Sequence, residues 1–500
     1  MKKILLLVIL CSASGLWAQG VSQALRYSMT ETNGSARFRA MSGAFGALGG
    51  DLSALNSNPA GSAIFTTNQF SASLNNQHTK NSSTYFGNTT TENSVAFDLN
   101  QAGAVFVFHA TDPKENWKKL AFCIAYENDN NFNNSTYAVG NNNQNSIANY
   151  FLYYANPSQN QGGIYLNTLL NNYYEDLNYQ DEQAYLGYYA NVITNDPANP
   201  NNDTYLPNFS PAASYYQENY VISSGYNGKL AFNGGFQYKD NWYFGINLNT
   251  HFTDYTKTAI FYEENANDPT LIKKIQFENN IHTYGNGFSF QVGAIHKFNQ
   301  SFRAGLSYKS PTWLTLNDEV NQRLFSKNFT ANYNPNNASA TSNVIMIYSP
   351  YQLRTPHEIT GSWAYVFGKK GVLSVDLIRK DYSNCTYQPN EVFSVANSAI
   401  KSSLRNTTEL RVGGEYRIKQ WSLRGGFRNE QSPYQNKYTV GALKAYSTGF
   451  GYNFGNTRLD LAYDLSQRYT QRSFFTYGFT DGAAVKTRVS SFTTTLTFEL

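Results

Sequence analysis

Ten charged residues fall on one side of a two-residue alternation: Arg303, Lys309, Lys380, Glu409, Arg411, Glu415, Arg417, Arg424, Arg428 and Glu430. By strand parity they share a face opposite bulky apolar side chains. A fixed cation on the inside of a low-dielectric tube could hold a carboxylate, and arginine offers it a planar two-pronged donor. Arg303, Arg411 and Arg424 are the candidates for that ligand-facing cation. The plainer reading is that Arg and Glu on neighbouring strands neutralise one another and anchor whatever fills the tube.

Other chemistries find little support. The six histidines (78, 109, 251, 282, 296, 357) show no metal-ligand spacing, and no cysteine pair supplies thiolates. His251 lies on a strand with no nucleophile motif around it. There is no phosphate-cradling loop; Gly425-Gly426 reads as part of a strand. No enzyme and no cofactor is expected.

A second constellation is Gly43–Gly61, GAFGALGGDLSALNSNPAG. It is nearly without bulk and has no steady apolar period, so it is neither a lipid-facing strand nor a core helix. Small residues let backbone pack on backbone, and each glycine can take positive φ. Asn58-Pro59 is a turn signal. The stretch reads as a compact plug inside something larger, with Asp51, Asn58, Pro59, Ala60 and Gly61 as hatch and gating residues. Asn58 and Pro59 would hold a turn whose rearrangement opens the lumen, or would only cap the approach to the first strand.

The elements around it follow from composition. Charged residues make up 14%, aromatics 16%, with 39 Tyr and 34 Phe, and the mean hydropathy is −0.49. After the N-terminus no apolar run of the roughly 18 residues a spanning helix needs occurs. From Gln69 onwards the period is two. The clearest strands are 241–252, 287–298, 301–309, 357–367, 372–380, 407–418, 421–430, 458–466 and 491–500. They reach the about 9–11 residues that cross a hydrocarbon layer, and in lipid such strands have to close into a barrel. Short connections fall at 239–240, 299–300, 368–371, 419–420 and 455–456. Long ones fall at about 78–94, 134–220, 264–275, 310–350, 388–402, 431–442 and 470–485. Short turns on one side and long loops on the other is an outer-membrane pattern, here with about 14 strands.

Lys2-Lys3, an apolar run from Ile4 to Leu10 and Leu16-Trp17-Ala18 predict a secretory signal cleaved after Ala18. Its loss takes Lys2 and Lys3 with it and lowers the formal charge from +4 to +2, too near neutral to suggest nucleic acid. Cys123 and Cys385 remain. Export permits a disulfide, but Cys123 sits in an apolar strand and free thiols are expected. In the long 134–220 segment, Ile164 to Ile193 reads as one or two helices with an apolar face. That face would capture an apolar molecule, or pack on the barrel rim, or both.

The Gly/Ala-rich, Asp-containing run ending in Asn58-Pro59-Ala60-Gly61 resembles the N-terminal hatch of the FadL-type outer-membrane transporters of hydrophobic compounds. Glu409 to Tyr434 is similar to that family's paired strands with Gly-x-x-Tyr and Arg-Gly-Gly elements and a Ser-Pro loop. The likeness touches both ends of the mature chain and is thin between about 78 and 280. It implies an all-β, 14-stranded outer-membrane barrel closed by its hatch. It also implies ligand-gated, passive diffusion of long-chain fatty acids or other hydrophobic molecules. In such proteins ligand is captured in outer loops, moves to a luminal pocket and leaves, in the best-known members, through an opening in the wall. Two departures stand out. Leu500 replaces the usual terminal aromatic, and 134–220 carries no motif that aligns.

The expected layout is a signal at 1–18, a hatch at 19–66 and a barrel at 67–500 in a bacterial outer membrane. The expected partners are a fatty acid-like ligand and membrane lipids. Two other functions stay open: a protein-handling partner in type IX secretion, and a pore for polar solutes.

Overall fold

Strands that turn apolar side chains outward and polar ones inward still have to pair every backbone group. Here they do so by closing. The computed structural model describes residues 20–500, apart from 113, 159–161, 209–213, 266–271, 329–337 and 342–343. The predicted signal, 1–18, lies outside the described residues.

Fourteen antiparallel strands make the wall. The first three are Gln69–Tyr85, Asn88–His109, and Trp117–Asn131 continued by Asn134–Asn142. The fourth to sixth are Tyr215–Tyr238, Trp242–Asn265 and Ile272–Lys297. The seventh, Phe302–Lys309 with Trp313–Asn328, and the eighth, Tyr351–Arg354 with Glu358–Val366, are both interrupted at a proline, Pro311 and Pro356. Proline lacks the donor a ladder needs. The ninth to eleventh are Gly371–Asp381, Asn406–Ile418 and Trp421–Glu430; the last three are Leu443–Asn453, Thr457–Ser473 and Gly482–Glu499. The fourteenth pairs with the first from Gln69↔Glu499 to Thr84↔Ala484, so no free edge is left there.

The inside-outside division is sharp. On the fourteenth strand Phe492, Leu496 and Phe498 are 40–49% exposed, while the intervening Thr493 and Thr495 are at most 1% exposed. Exposed Trp117, Phe236, Trp242, Tyr365, Trp421 and Phe454 gather at the strand ends beside the short turns, as an interfacial girdle does. The short turns, not the girdle, mark that end as periplasmic, since girdles flank both interfaces.

One expected long loop is absent. Residues 78–94 are strand, and a two-residue turn, Phe86-Gly87, joins Tyr85 to Asn88. Both turn residues have positive φ, the geometry that matches strand twist in a tight hairpin. The polar Asn/Ser/Thr alternation there looked like loop because the strands run on beyond the lipid, where no apolar side chain is required. For the same reason the seventh strand extends to Asn328 and the thirteenth to Ser473, into stretches expected to be loop.

Inside the wall lies the N-terminal segment: helix α1 (Val21–Ser28), helix α2 (Ala36–Ala40) and two 3-10 turns, Leu52–Asn56 and Pro59–Ile64. Outside the lipid, α3 (Ala148–Ala155), α4 (Leu166–Asn171) and α5 (Tyr179–Tyr189) form a cap. A further helix, α6 (Ser394–Ser403), follows the ninth strand. Cys123 and Cys385 are both free and buried.

Candidate functional site

The hatch is assembled from caps. Asp51 accepts from the Ser53 amide at 3.0 Å and from the Ser35 hydroxyl at 2.8 Å, starting one 3-10 turn and tying it to the loop before α2. Ser35 in turn caps α2 through the Phe38 amide. Asn58 caps the second 3-10 turn through the Ala60 amide, 3.1 Å, and Pro59 takes its first position. The Asn58 amide nitrogen donates to Gly46 O of the hatch at 2.8 Å and to Ala294 O of the sixth strand at 3.1 Å. Pro59 O accepts from Asn233 of the fourth strand at 3.0 Å. Asn58-Pro59 thus joins the hatch to two wall strands.

The wall is cut away to receive that turn. Gly235, Gly245 and Gly293 stand in one register row across the fourth, fifth and sixth strands. A Cβ on Gly245 would lie 2.3 Å from the Pro59 carbonyl, and one on Gly293 would lie 2.0 Å from Asn58 Oδ1. These wall glycines were not singled out from the sequence. The signal available was a glycine in strands otherwise rich in bulky residues.

Opposite them runs a ladder of buried charge. Glu415 pairs with Arg37 of α2 at 2.8 Å and with Arg424 at 2.7 Å; Arg424 also reaches Asp460 at 2.7 Å. Glu409 pairs with Arg411 and Arg428, each at 2.6 Å, and Glu430 with Arg428 and Arg468. Arg39 of α2 meets Asp464 at 2.7 Å. Arg417 pairs with Glu415 at the rim. The structure therefore places Arg411 and Arg424 in ion pairs with wall carboxylates, the anchoring arrangement. Arg303 is elsewhere, donating to Leu48 O of the hatch at 3.2 Å.

Above this ladder the lumen changes character. Leu25 and Tyr27 of α1 pack with Phe132, Tyr255, Leu314, Leu353, Tyr387 and Phe393 in one apolar cluster. Each such buried side chain contributes about 1.5–3 kcal/mol relative to exposure. Beneath the cluster is a cavity lined by Tyr27, Ser28, Asp129, His251, Lys309 and Glu358, with Lys380, Thr312 and Thr355. The space open to the centre of a water molecule there is about 30 Å³, enough for a water or two and far too small for an apolar ligand. Lys229 is held by Asp129 at 2.7 Å and Lys380 by Glu358 at 2.9 Å. Lys309, between them on the cavity wall, has no ion pair or hydrogen bond among the described residues. The sequence placed Lys309 on the inner face but did not single it out, because pairing depends on neighbours far away in the chain.

Among the described residues the wall ladder is interrupted beside the hatch. The second and third strands are laddered only from His109↔Lys119 to Gln101↔Glu127. Above that point the second strand pairs with the first alone, and the third keeps only its pairing with the fourth, which runs along its whole length. Side chains bridge the break: Asn131 donates to Asp98, and Ser94 meets Ser135 at 3.0 Å. Hatch residues close it from within. Asn130 donates to Met29 O at 2.7 Å, Asn100 to Gly34 O at 2.6 Å, and the Glu31 amide to Asp129 O at 3.2 Å.

At the outer end the cap shuts the barrel. Tyr150, Phe151, Leu169 and Leu186 pack on Phe261, Phe277, Leu324 and Phe479. Gln183 of α5 donates to Gln322 at 2.8 Å, and Tyr174 does so at 3.1 Å. The apolar face of this segment is on the rim, as one of the two expected readings has it.

This architecture has known counterparts. A family model described as outer membrane protein transport protein (OMPP1/FadL/TodX) matches residues 198–493. The chain belongs to this family. Solved structures of the OMPP1/FadL/TodX type share its fold. A FadL homologue from Pseudomonas aeruginosa is 13% identical, covers 94% of this chain and 99% of its own, and gives a TM-score of 0.55. The Pseudomonas putida toluene transporter TodX is 12% identical over 94% and 99%, with a TM-score of 0.52. The Ralstonia pickettii toluene transporter TbuX is 14% identical over 94% and 99%, with a TM-score of 0.50. No curated protein matches the sequence in the corresponding search. The protein is an outer-membrane β-barrel of the FadL/TodX family.

Proposed function

We propose that this barrel carries hydrophobic small molecules passively across the outer membrane, and that its preferred cargo is amphiphilic, with a carboxylate head as in a long-chain fatty acid. The observation that carries the reading is the Lys309 cavity. An unpaired ammonium beneath an aromatic and aliphatic cluster matches a molecule with an anionic head and an apolar tail. Burial of the tail supplies the driving force. The head would neutralise Lys309, which makes no ion pair among the described residues.

Family relatives named as toluene transporters support an apolar cargo in general; Lys309 favours an acid over a hydrocarbon. In the structure α1 fills the apolar cluster, so a cargo would have to displace Leu25 and Tyr27, which couples loading to hatch movement. The break between the second and third strands is the exit this reading favours, since hatch residues 29–34 cover it with few bonds. No catalysis is required.

The test is uptake of radiolabelled dodecanoate and of toluene by cells that lack other such channels. Lys309→Gln should slow dodecanoate uptake about tenfold, the effect of losing roughly one charged hydrogen bond, and leave toluene unchanged. Uptake of neither compound above that of cells without the protein would sink the proposal.

A further inference from the structure

Three more cations share the periplasmic floor of the barrel. Lys119 of the third strand, Lys297 of the sixth and Arg303 of the seventh lie on the inner face, each within a few residues of a short turn. Lys297 and Arg303 stand directly opposite one another in the ladder. Like charges so placed destabilise a sheet. The registers Lys119↔Gln237, Gln237↔Tyr243, Tyr243↔Ile295 and Ile295↔Gly305 bring Lys119 round to the same side, with Tyr243 between.

None of the three makes an ion pair among the described residues. Each donates to a neutral acceptor instead. Lys119 reaches Phe65 O at 2.5 Å, Lys297 the Tyr243 hydroxyl at 2.6 Å, and Arg303 Leu48 O at 3.2 Å. The Nε of Arg303 is buried with no hydrogen-bond partner. Asp240, in the turn beside them, is exposed, and it is its backbone carbonyl that accepts from Tyr243. Lys119 is buried and Lys297 and Arg303 are half-buried; cations withdrawn from water are ordinarily paired, as Arg424, Arg428 and Arg468 are across the lumen.

We propose that Lys119, Lys297 and Arg303 form an oxyanion-binding site on the periplasmic face of the hatch, taking a carboxylate or a phosphate group. Arg303 Nε and its neighbouring Nη give the two-pronged donor such a group prefers, and the two ammoniums supply the remaining charge. The acceptors that now hold these donors include Leu48 O and Phe65 O, both in the hatch segment. A bound oxyanion would compete with those carbonyls and loosen the hatch on this side. The carboxylate source, the head group of a transported amphiphile, rests on the proposed function; inorganic phosphate from the periplasm does not.

The experiment is titration calorimetry of the full-length protein in a non-ionic detergent with octanoate, octanol and inorganic phosphate. Octanoate or phosphate should bind and octanol should not occupy the floor. Lys297→Gln with Arg303→Gln should weaken that binding at least tenfold, while Lys401→Gln, at an exposed position on α6, leaves it in place. Arg303→Lys, which keeps the charge and removes the fork, should weaken it several-fold and serves if the double variant fails to fold. Octanoate binding sensitive to the floor variants, without phosphate binding, assigns the site to the cargo; phosphate binding with the same sensitivity assigns it to a free anion. Binding of neither anion, or binding unchanged in both Arg303→Lys and the double variant, overturns the proposal. Loss of uptake in cells with floor binding of phosphate intact would instead count against the transport reading alone.

Discussion

The two halves of the barrel wall hold the hatch by different means. On the tenth to thirteenth strands the hatch is gripped by charge: Arg37 on Glu415 and Arg39 on Asp464, in a network where the buried carboxylates Glu409, Glu415, Glu430 and Asp460 all have guanidinium partners. On the third to seventh strands no ion pair joins it to the wall among the described residues; it is held by single hydrogen bonds, Asn58 to Ala294 O, Asn233 to Pro59 O, Lys119 to Phe65 O, Arg303 to Leu48 O and Asn56 to the Glu127 carboxylate. A buried ion pair is costly to break because each partner is left uncompensated. A hydrogen bond to a carbonyl nets only about 0.5–1.5 kcal/mol, or about 1.5–3 when one partner is charged. The fold thus has a side held by ion pairs and a side held by hydrogen bonds. If the hatch moves as the proposed function requires, it should swing about the charged half, away from which the wall break and the floor cations lie.

Substitution can break that contrast, and the largest effect should come from the ion-paired side. Glu415→Ala leaves Arg37 facing no carboxylate and should lower stability by about 3–5 kcal/mol, read as a drop in the temperature at which the folded barrel loses its heat-modifiable mobility. Arg303→Ala should cost under about 1 kcal/mol by the same assay, because it also relieves the repulsion with Lys297. Equal losses for the two would erase the distinction. Next comes the glycine row: Gly293→Val pushes a side chain into Asn58 and Pro59, with an overpacking cost of about 1–3 kcal/mol. Its clearer sign is raised ion conductance in a planar bilayer as the hatch is displaced. Asn58→Ala removes one cap and two bridging donors; the cap alone is worth about 1 kcal/mol. Conductance should rise here too, but less than in Gly293→Val, and no rise would mean that the motif is structural only.

A separate, pH-dependent effect lies in the cap. Glu182 on α5 is buried, and desolvation, helped by Asp181, raises its carboxyl from the ordinary 4.5 to about 8. A group whose folded pKa is raised stabilises the fold at low pH and loses that stabilisation as pH rises, here from about 4.5 to about 8. Limited proteolysis of the cap should be slower at pH 5 than at pH 8, and Glu182→Gln should abolish the difference. A pH dependence that survives the substitution would point to another group.

Much of this was legible in the chain. The alternation at 301–309 and 458–466 gave the strands and their inner faces, and the short turns gave the periplasmic end. The Asn58-Pro59 turn was legible because capping is local: the residues that bond are two or three apart. The loop at 78–94 was misread because polar strands beyond the lipid lack the apolar half of the pattern. Arg411, Arg424 and Lys309 looked alike, since all three are inward cations on alternating strands.

What the sequence by itself determined, then, is which side chains face inward and where the plug begins and turns, because both depend on periods and caps a few residues long. Which inward charges are satisfied was decided only by the tertiary structure. Arg37 and Glu415 are joined by closure of the barrel around the hatch, and the same closure leaves Lys309 without an ion pair among the described residues, beside carboxylates taken by Lys229 and Lys380. Coulombic pairing acts through space over a few ångströms. No local pattern carries that information, and it is the pairing that separates the side of the hatch held by ion pairs from the side held by hydrogen bonds.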